Sequence, residues 1–359
     1  MPRQIKYADA GVDRVLRAQS KKALKILTRA DKFSRYGTIM QLPYGKLVPV
    51  GNSKYLDFQI EGVGTKVLVA QLVGKYDTIG IDGVAMAVND VIRSGARPFA
   101  LVDNIHAQVS DPELTREWIK GITKGAIESE CVVPGGEIGD VADLIRGVSE
   151  GKGFDMIVAA AGDVDENGVI LGNKIKANDA IIGLRSSGIH SNGVSLARKL
   201  LLKQWRGKYE AHDVPEELGV EVALEILRPT TIYVKPLLKA ANAVPVKAAV
   251  HITGDAYGKF DKLMEFSRGV GFRFDNFNPQ PIFQLIQETA VQLGRVITDE
   301  EMFRTFNMGW GFALIVDKED ADETLDILEK SSMPAERIGT VTSSGRIEIH
   351  HKNQRIILK

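Results

Sequence analysis

Five short segments concentrate the residue types that do chemistry. EGVGTK at 61–66 follows an apolar run. Its Gly62 and Gly64 let a backbone approach a ligand, Thr65 and Lys66 can meet phosphate oxygens, and the Glu61 carboxylate can hold a hard cation. The spacing is not that of a Walker A loop, and a turn with a solvated lysine gives the same pattern. GIDGVAMAVND at 80–90 puts Asp82, Asn89 and Asp90 into an otherwise apolar helix. Carboxylates there need a metal or another partner, unless both simply face water. PGGEIGD at 134–140 reads as a strand ending in Gly135 and Gly136, followed by Glu137 at the edge of a cleft, and simple turn chemistry explains the glycines equally well. SSGIHSNG at 186–193 joins a strand to a helix. Ser187, Ser191, Asn192 and Gly193 lie where helix N–H groups and the dipole attract an anion, with His190 held for proton exchange. An ordinary helix cap beside an exposed histidine would look the same. RTFNMGWG at 304–311 offers Arg304 for a phosphate and Asn307 for an amide.

Elements of an α/β protein must position these segments. Helical periodicity marks 14–33, through Val15, Leu16, Ala23, Leu24 and Leu27, and again 77–94 and 112–129. Strands are expected at 55–60, 99–102, 132–134 and 156–161. Cys131 then reads as a buried strand residue. A polar stretch at 163–179 separates this half from a second one with strands at 180–184, 246–252, 312–316 and 347–350. Helices are expected there at 192–203, 230–243, 283–293 and 320–330. The reading is therefore two α/β domains with mixed sheets, 1–165 and 166–359.

Composition excludes several classes. Lys plus Arg equals Asp plus Glu, 46 each, so no basic field exists for non-specific binding to nucleic acid or an anionic membrane. A single cysteine rules out an intramolecular disulfide or a thiolate cluster. No apolar stretch approaches the ~20 residues of a membrane helix, and the first residues lack the apolar core of a signal peptide. A cytoplasmic protein is the expectation.

Taken in order, the segments resemble the aminoimidazole ribonucleotide synthetase family, also called phosphoribosylformylglycinamidine cyclo-ligases, of purine biosynthesis. YADAGVD (7–13), EGVGTK, GIDGVAMAVND, SSGIHSNGVSLARK (186–199), PTTIYVK (229–235) and MFRTFNMG (302–309) carry the resemblance over nearly the whole chain. The wider superfamily holds formylglycinamidine ribonucleotide synthetase, selenophosphate synthetase, thiamine monophosphate kinase and a hydrogenase maturation protein. The resemblance implies an ATP- and Mg²⁺-dependent ring closure of formylglycinamidine ribonucleotide. It also implies a two-domain fold whose N-terminal domains join as a homodimeric β-barrel. A sister ATP-dependent phosphotransferase and a catalytically silent nucleotide-binding homologue are the alternative readings.

Matched by position, the resemblance gives Glu61, Asp90 and Glu137 to the metal. It gives Gly62, Gly64, Thr65, Lys66 and Asn89 to the nucleotide with them, and makes His190, Asp90 and Lys66 the catalytic residues. Ser187, Ser191, Asn192, Gly193, Thr253, Gly254, Arg304 and Asn307 would face the ribonucleotide. Lys21, Lys22 and Lys25 compete for the role of an N-terminal nucleotide lysine. Three departures stand out: Glu61 replaces a usual Asp, GGEIG replaces GGETA, and Thr253-Gly254-Asp255-Ala256-Tyr257 replaces TGGGF. Asp255 and Ala256 are expected to repel and crowd a phosphate at that loop.

Overall fold

The computed structural model describes residues 3–359. Strand β1 (Arg3–Gln4) does not join the first domain; the arm it begins crosses to the second. Asp13 caps α1 (Arg14–Lys21), accepting from the Val15 and Leu16 N–H groups, and a 3-10 segment, Lys22–Phe33, continues it. The expected amphipathic helix over 14–33 is thus split, and none of its apolar residues is buried.

A six-stranded sheet follows. Its strands are β2 (Met40–Leu42), β3 (Gly45–Gly51), β4 (Lys54–Gly62), β5 (Arg97–Ala107), β6 (Val132–Asp140) and β7 (Phe154–Asp165), in the order β2-β3-β4-β7-β5-β6. Beside it lie α2 (Lys66–Val73), α3 (Asp77–Val91) and α4 (Pro112–Ser129). Every residue of α3 from Thr78 onward is buried. α3 and α4 touch backbone to backbone, because a Cβ on Gly80 would lie 2.5 Å from the Trp118 carbonyl oxygen. Strand β7 alternates buried and half-buried residues along its length, as a sheet covered on one face requires. The sheet is open, with β2 and β6 at its edges.

β6 corrects the sequence reading. It runs on to Asp140, so Gly135 and Gly136 lie within a strand rather than a turn. Cys131 sits half-buried just before it, its thiol pushed up by burial.

The second domain has a seven-stranded mixed sheet. Its strands are β8 (Ala180–Arg185), β9 (Ala248–His251), β10 (Gly271–Phe274), β12 (Trp310–Val316), β13 (Ala335–Thr342), β14 (Ile347–His351) and β15 (Gln354–Ile357); β11 (Arg295–Val296) pairs with β1 instead. The order is β15-β14-β10-β13-β8-β12-β9. The central strands β8 and β12 are apolar and buried almost throughout, which fits a sheet covered on both faces. Helix α5 (Val194–Leu201) follows β8. The helix expected over 230–243 begins only at Val234, leaving Thr230, Thr231 and Ile232 without helical structure against the first domain.

Candidate functional site

Helix α3 carries a polar row into the boundary between the domains. Asp82 and Asn89 are seven residues apart, close to two helical turns, and so share a face. Asp82 Oδ1 accepts from the Thr230 N–H at 2.8 Å and the Thr230 hydroxyl at 2.7 Å. The Ser191 hydroxyl reaches the same oxygen at 3.2 Å. Lys66, at the start of α2, donates to Asp82 at 2.9 Å and to the Arg228 carbonyl at 2.6 Å. Asn89 donates to the Thr231 carbonyl at 2.8 Å and accepts from the Tyr233 N–H at 2.9 Å. The segment PTTIYVK is therefore held by its backbone to a helix of the other domain.

This seam changes the roles expected of two residues. Both side chains of the Lys66–Asp82 pair are fully buried, and the lysine's donors go to the protein, so Lys66 is not poised over a phosphate. Asp82 does not face water. Thr65 spends its hydroxyl on Ser195 at 2.8 Å. Gly64 keeps a positive φ with open space around it, and Gly62 closes β4.

The loop after β8 folds onto the same seam. Ser187 donates its hydroxyl to the Pro229 carbonyl at 2.5 Å and its N–H to His190 Nε2 at 3.1 Å. Since Nε2 accepts, the His190 proton sits on Nδ1, which is buried and unpartnered. Burial first, then the nearby His251 and Lys66, hold His190 well below the usual histidine range, so the ring is neutral. Asn192 has a buried, unpartnered Nδ2 and lies beside Gly254. Gly193 takes φ +74° directly against the Phe306 ring, where a Cβ would collide.

Asn307 and Arg304 are engaged internally. Asn307 donates to the Gly188 carbonyl at 2.8 Å and accepts from the Ser186 hydroxyl at 3.0 Å and the Gly309 N–H at 2.9 Å. It fastens the two motif loops together, with its oxygen fully used and the side chain buried. Arg304 pairs with Glu300 at 3.0 Å and donates to the Leu358 carbonyl at 2.5 Å.

A charged cluster forms the rim of the seam. Asp90 receives Arg93 at 2.9 Å and His251 Nδ1 at 2.7 Å. Burial opposes the Asp90 charge, but Arg93 and the His251 hydrogen bond together outweigh it and keep the carboxyl ionised. Glu61 is half-buried at the end of β4, in reach of Asp90; burial and then the Asp90 charge push it up to about 7. His251, lowered to about 4 chiefly by burial, is neutral, with a buried unpartnered Nε2. Lys259 donates to the His251 carbonyl at 3.2 Å and to the Thr253 hydroxyl.

Glu137 does not join this cluster. In register it aligns with Asn104 and, through β5 and β7, with Ile157 and Gly62. Its neighbour Gly136 aligns in the same way with Asp103, Val158 and Glu61, so Glu137 and Glu61 point to opposite faces of the sheet. Among the described residues no three acidic, histidine or cysteine side chains converge as a metal cage. The Glu61–Asp90 pair still fits an ion that arrives with phosphates, since Mg²⁺ commonly takes one or two carboxylates plus substrate oxygens.

The loop after His251 resolves the expectation about its side chains. Asp255 and Ala256 adopt φ +71° and +40°, the region favoured by glycine. Asp255 turns to Arg14 at 3.5 Å, and Arg14 also binds Glu301 at 3.0 Å. The acidic group is thus paired with the N-terminal arm rather than left facing the cleft alone. His251, Arg93 and Lys259 escaped the sequence reading. A histidine ending an apolar strand directly before Thr253 and Gly254 was the available signal.

Residues 45–164 match the family described as AIR synthase related protein, N-terminal domain, and residues 176–352 match its C-terminal domain. The phosphoribosylformylglycinamidine cyclo-ligase of Methanocaldococcus jannaschii is 40% identical over 372 residues, spanning 99% of this chain and 100% of that protein. The protein of the same name from Pyrococcus furiosus is 40% identical over 362 residues, spanning 98% and 99%. Among solved structures, hydrogenase maturation protein HypE in complex with ATP shares the fold, with a TM-score of 0.58 at 18% identity over 86% of this chain and 85% of that one.

Proposed function

The chain belongs to the phosphoribosylformylglycinamidine cyclo-ligase family, and we propose that its interdomain rim is where that reaction runs. The protein is an ATP-dependent cyclo-ligase that closes formylglycinamidine ribonucleotide to aminoimidazole ribonucleotide in purine biosynthesis. The full-length match to relatives of that name carries this conclusion. The formyl oxygen attacks the γ-phosphate of ATP, the amidine nitrogen attacks the activated carbon, and phosphate leaves. Phosphorylation turns a poor oxygen leaving group into a good one, so the protein's contribution is positioning and charge neutralisation.

In this proposal Glu61 and Asp90 hold Mg²⁺, which would neutralise phosphate charge when bound. Glu137 lies on the other sheet face and is left out of that set. Of the N-terminal lysines, Lys21 is favoured for the nucleotide, because its charge bears on both Asp255 and Lys259. His190 offers a neutral Nδ1–H donor, and Asn192, Thr253 and Gly254 line the substrate side. Asn307 and Ser191 act by holding the loop.

A homodimer through the first sheet is part of the reading. Its outer face leaves Phe58 58%, Ile60 68% and Val102 46% exposed, which suits a second copy. A cytoplasmic location is part of the reading too; among the described residues no helix is long and apolar enough to cross a membrane. Purified protein given ATP, Mg²⁺ and formylglycinamidine ribonucleotide should yield aminoimidazole ribonucleotide, ADP and phosphate in equal amounts. ADP release stimulated by another small molecule, with none by this substrate, would point to a sister phosphotransferase.

A further inference from the structure

Lys259 stands in the short 3-10 segment Ala256–Phe260, directly after the loop from Thr253 to Asp255. Its side chain is half-buried and returns beneath that loop to the His251 carbonyl and the Thr253 hydroxyl. An ammonium has three donors. Two are engaged here, and among the described residues the third makes no hydrogen bond. The charges of Asp90 and Glu61 both act on the ammonium from nearby, as does that of Arg93. Glu61 and Asp90 thus offset Lys259 and Arg93, with Lys21 adding a weaker positive charge. A cluster whose charges are largely offset has little attraction for a triphosphate. One divalent ion on the two carboxylates would leave Lys259 and Arg93 uncompensated beside it, and Arg93 is tied to Asp90 and the buried side. Lys259 is the cation with a donor to spare.

We propose that Lys259 is a phosphate-binding residue of the nucleotide site. It serves as counter-charge to Glu61 and Asp90 in the free protein and turns its open donor to the terminal phosphate of ATP once those carboxylates hold a cation. The assignment rests on the ATP site proposed above.

Nucleotide binding measured by calorimetry in Mg²⁺ tests it without turnover. Lys259→Met should weaken ATP binding about tenfold or more, the scale of one charge-assisted hydrogen bond, and leave AMP binding nearly unchanged. Unaltered ATP affinity overturns the assignment, and so does an equal loss for ATP and AMP, which marks a merely structural lysine. If wild-type protein binds no ATP, the nucleotide site itself is misplaced, whatever Lys259 does. A second measurement needs no variant. An adenosine polyphosphate ending in an aldehyde-bearing pyridoxal group, bound to wild-type protein and reduced with borohydride, should label Lys259. Peptide mapping that finds the label only on other lysines, Lys21 included, overturns the proposal even if Lys259→Met fails to fold.

Discussion

The buried face of α3 and the outer face of the first sheet depart in opposite directions from the rule that polar groups go outside and apolar groups inside. On α3, Asp82, Asn89 and Asp90 lie at most 5% exposed. Each is satisfied by a specific partner from the second domain. On the sheet, Phe58, Ile60 and Val102 face outward, and nothing among the described residues covers them. The first departure is tolerated because each of these three side chains found a complement within one chain. In the homodimer proposed above, a second copy covers that apolar area. One region finds its partners within the chain, and the other would find its own in the proposed assembly.

Four measurements can break or sharpen that contrast. The largest effect should come from Asp82→Ala, which leaves the buried Lys66 ammonium without its counter-charge. Unfolding in urea should show a loss of about 3–5 kcal/mol. Adding Lys66→Met should recover much of it; no recovery in the double variant means the two groups are not coupled. Asn89→Ala removes both amide bonds to the Thr231–Tyr233 backbone and should cost about 1–3 kcal/mol in the same assay. A cost near zero would show the seam to be ornamental at that point.

The third concerns Glu61, whose folded-state pKa is raised from 4.5 to about 7. The proton it keeps favours the folded state fully below about pH 4.5, and that contribution disappears as pH rises through 7. Glu61→Gln should therefore be relatively more stable above pH 7, by on the order of 1–2 kcal/mol, and the difference from wild type should grow only between those pH values. A pH-independent difference would contradict the burial argument. The smallest change in subunit stability should come from Phe58→Lys on the outer sheet face, within about 0.5 kcal/mol. That variant should nonetheless sediment as a smaller species than wild type. Unchanged sedimentation would mean this face joins no second copy.

The chemistry-bearing segments were legible because glycine, small hydroxyl residues and lone charges interrupt apolar runs at short spacing. Five such segments mark where the polar groups lie, although GIDGVAMAVND falls in helix α3 and PGGEIGD in strand β6. Their partners were not legible. Lys66 has the same sequence neighbourhood whether it reaches a phosphate or Asp82. Asn307 looks like a ligand reader until both sides of its amide are seen tied to Gly188, Ser186 and Gly309. Gly135 and Gly136 read as a turn, yet β5 supplies a parallel neighbour that keeps them extended.

By itself the sequence determined two α/β halves, the kinship of the chain and the segments that carry its chemistry. These follow from local patterning, which each segment expresses without knowing its neighbours. Only the tertiary structure decided which charges meet. It turned Lys66 inward to Asp82, set Asp90 against His251, aimed Glu137 away from Glu61 and brought Lys259 under its loop. Such pairings depend on register, on strand pleat and on two domains closing over one another. A buried charge accepts whichever partner that closure brings within about 3 Å.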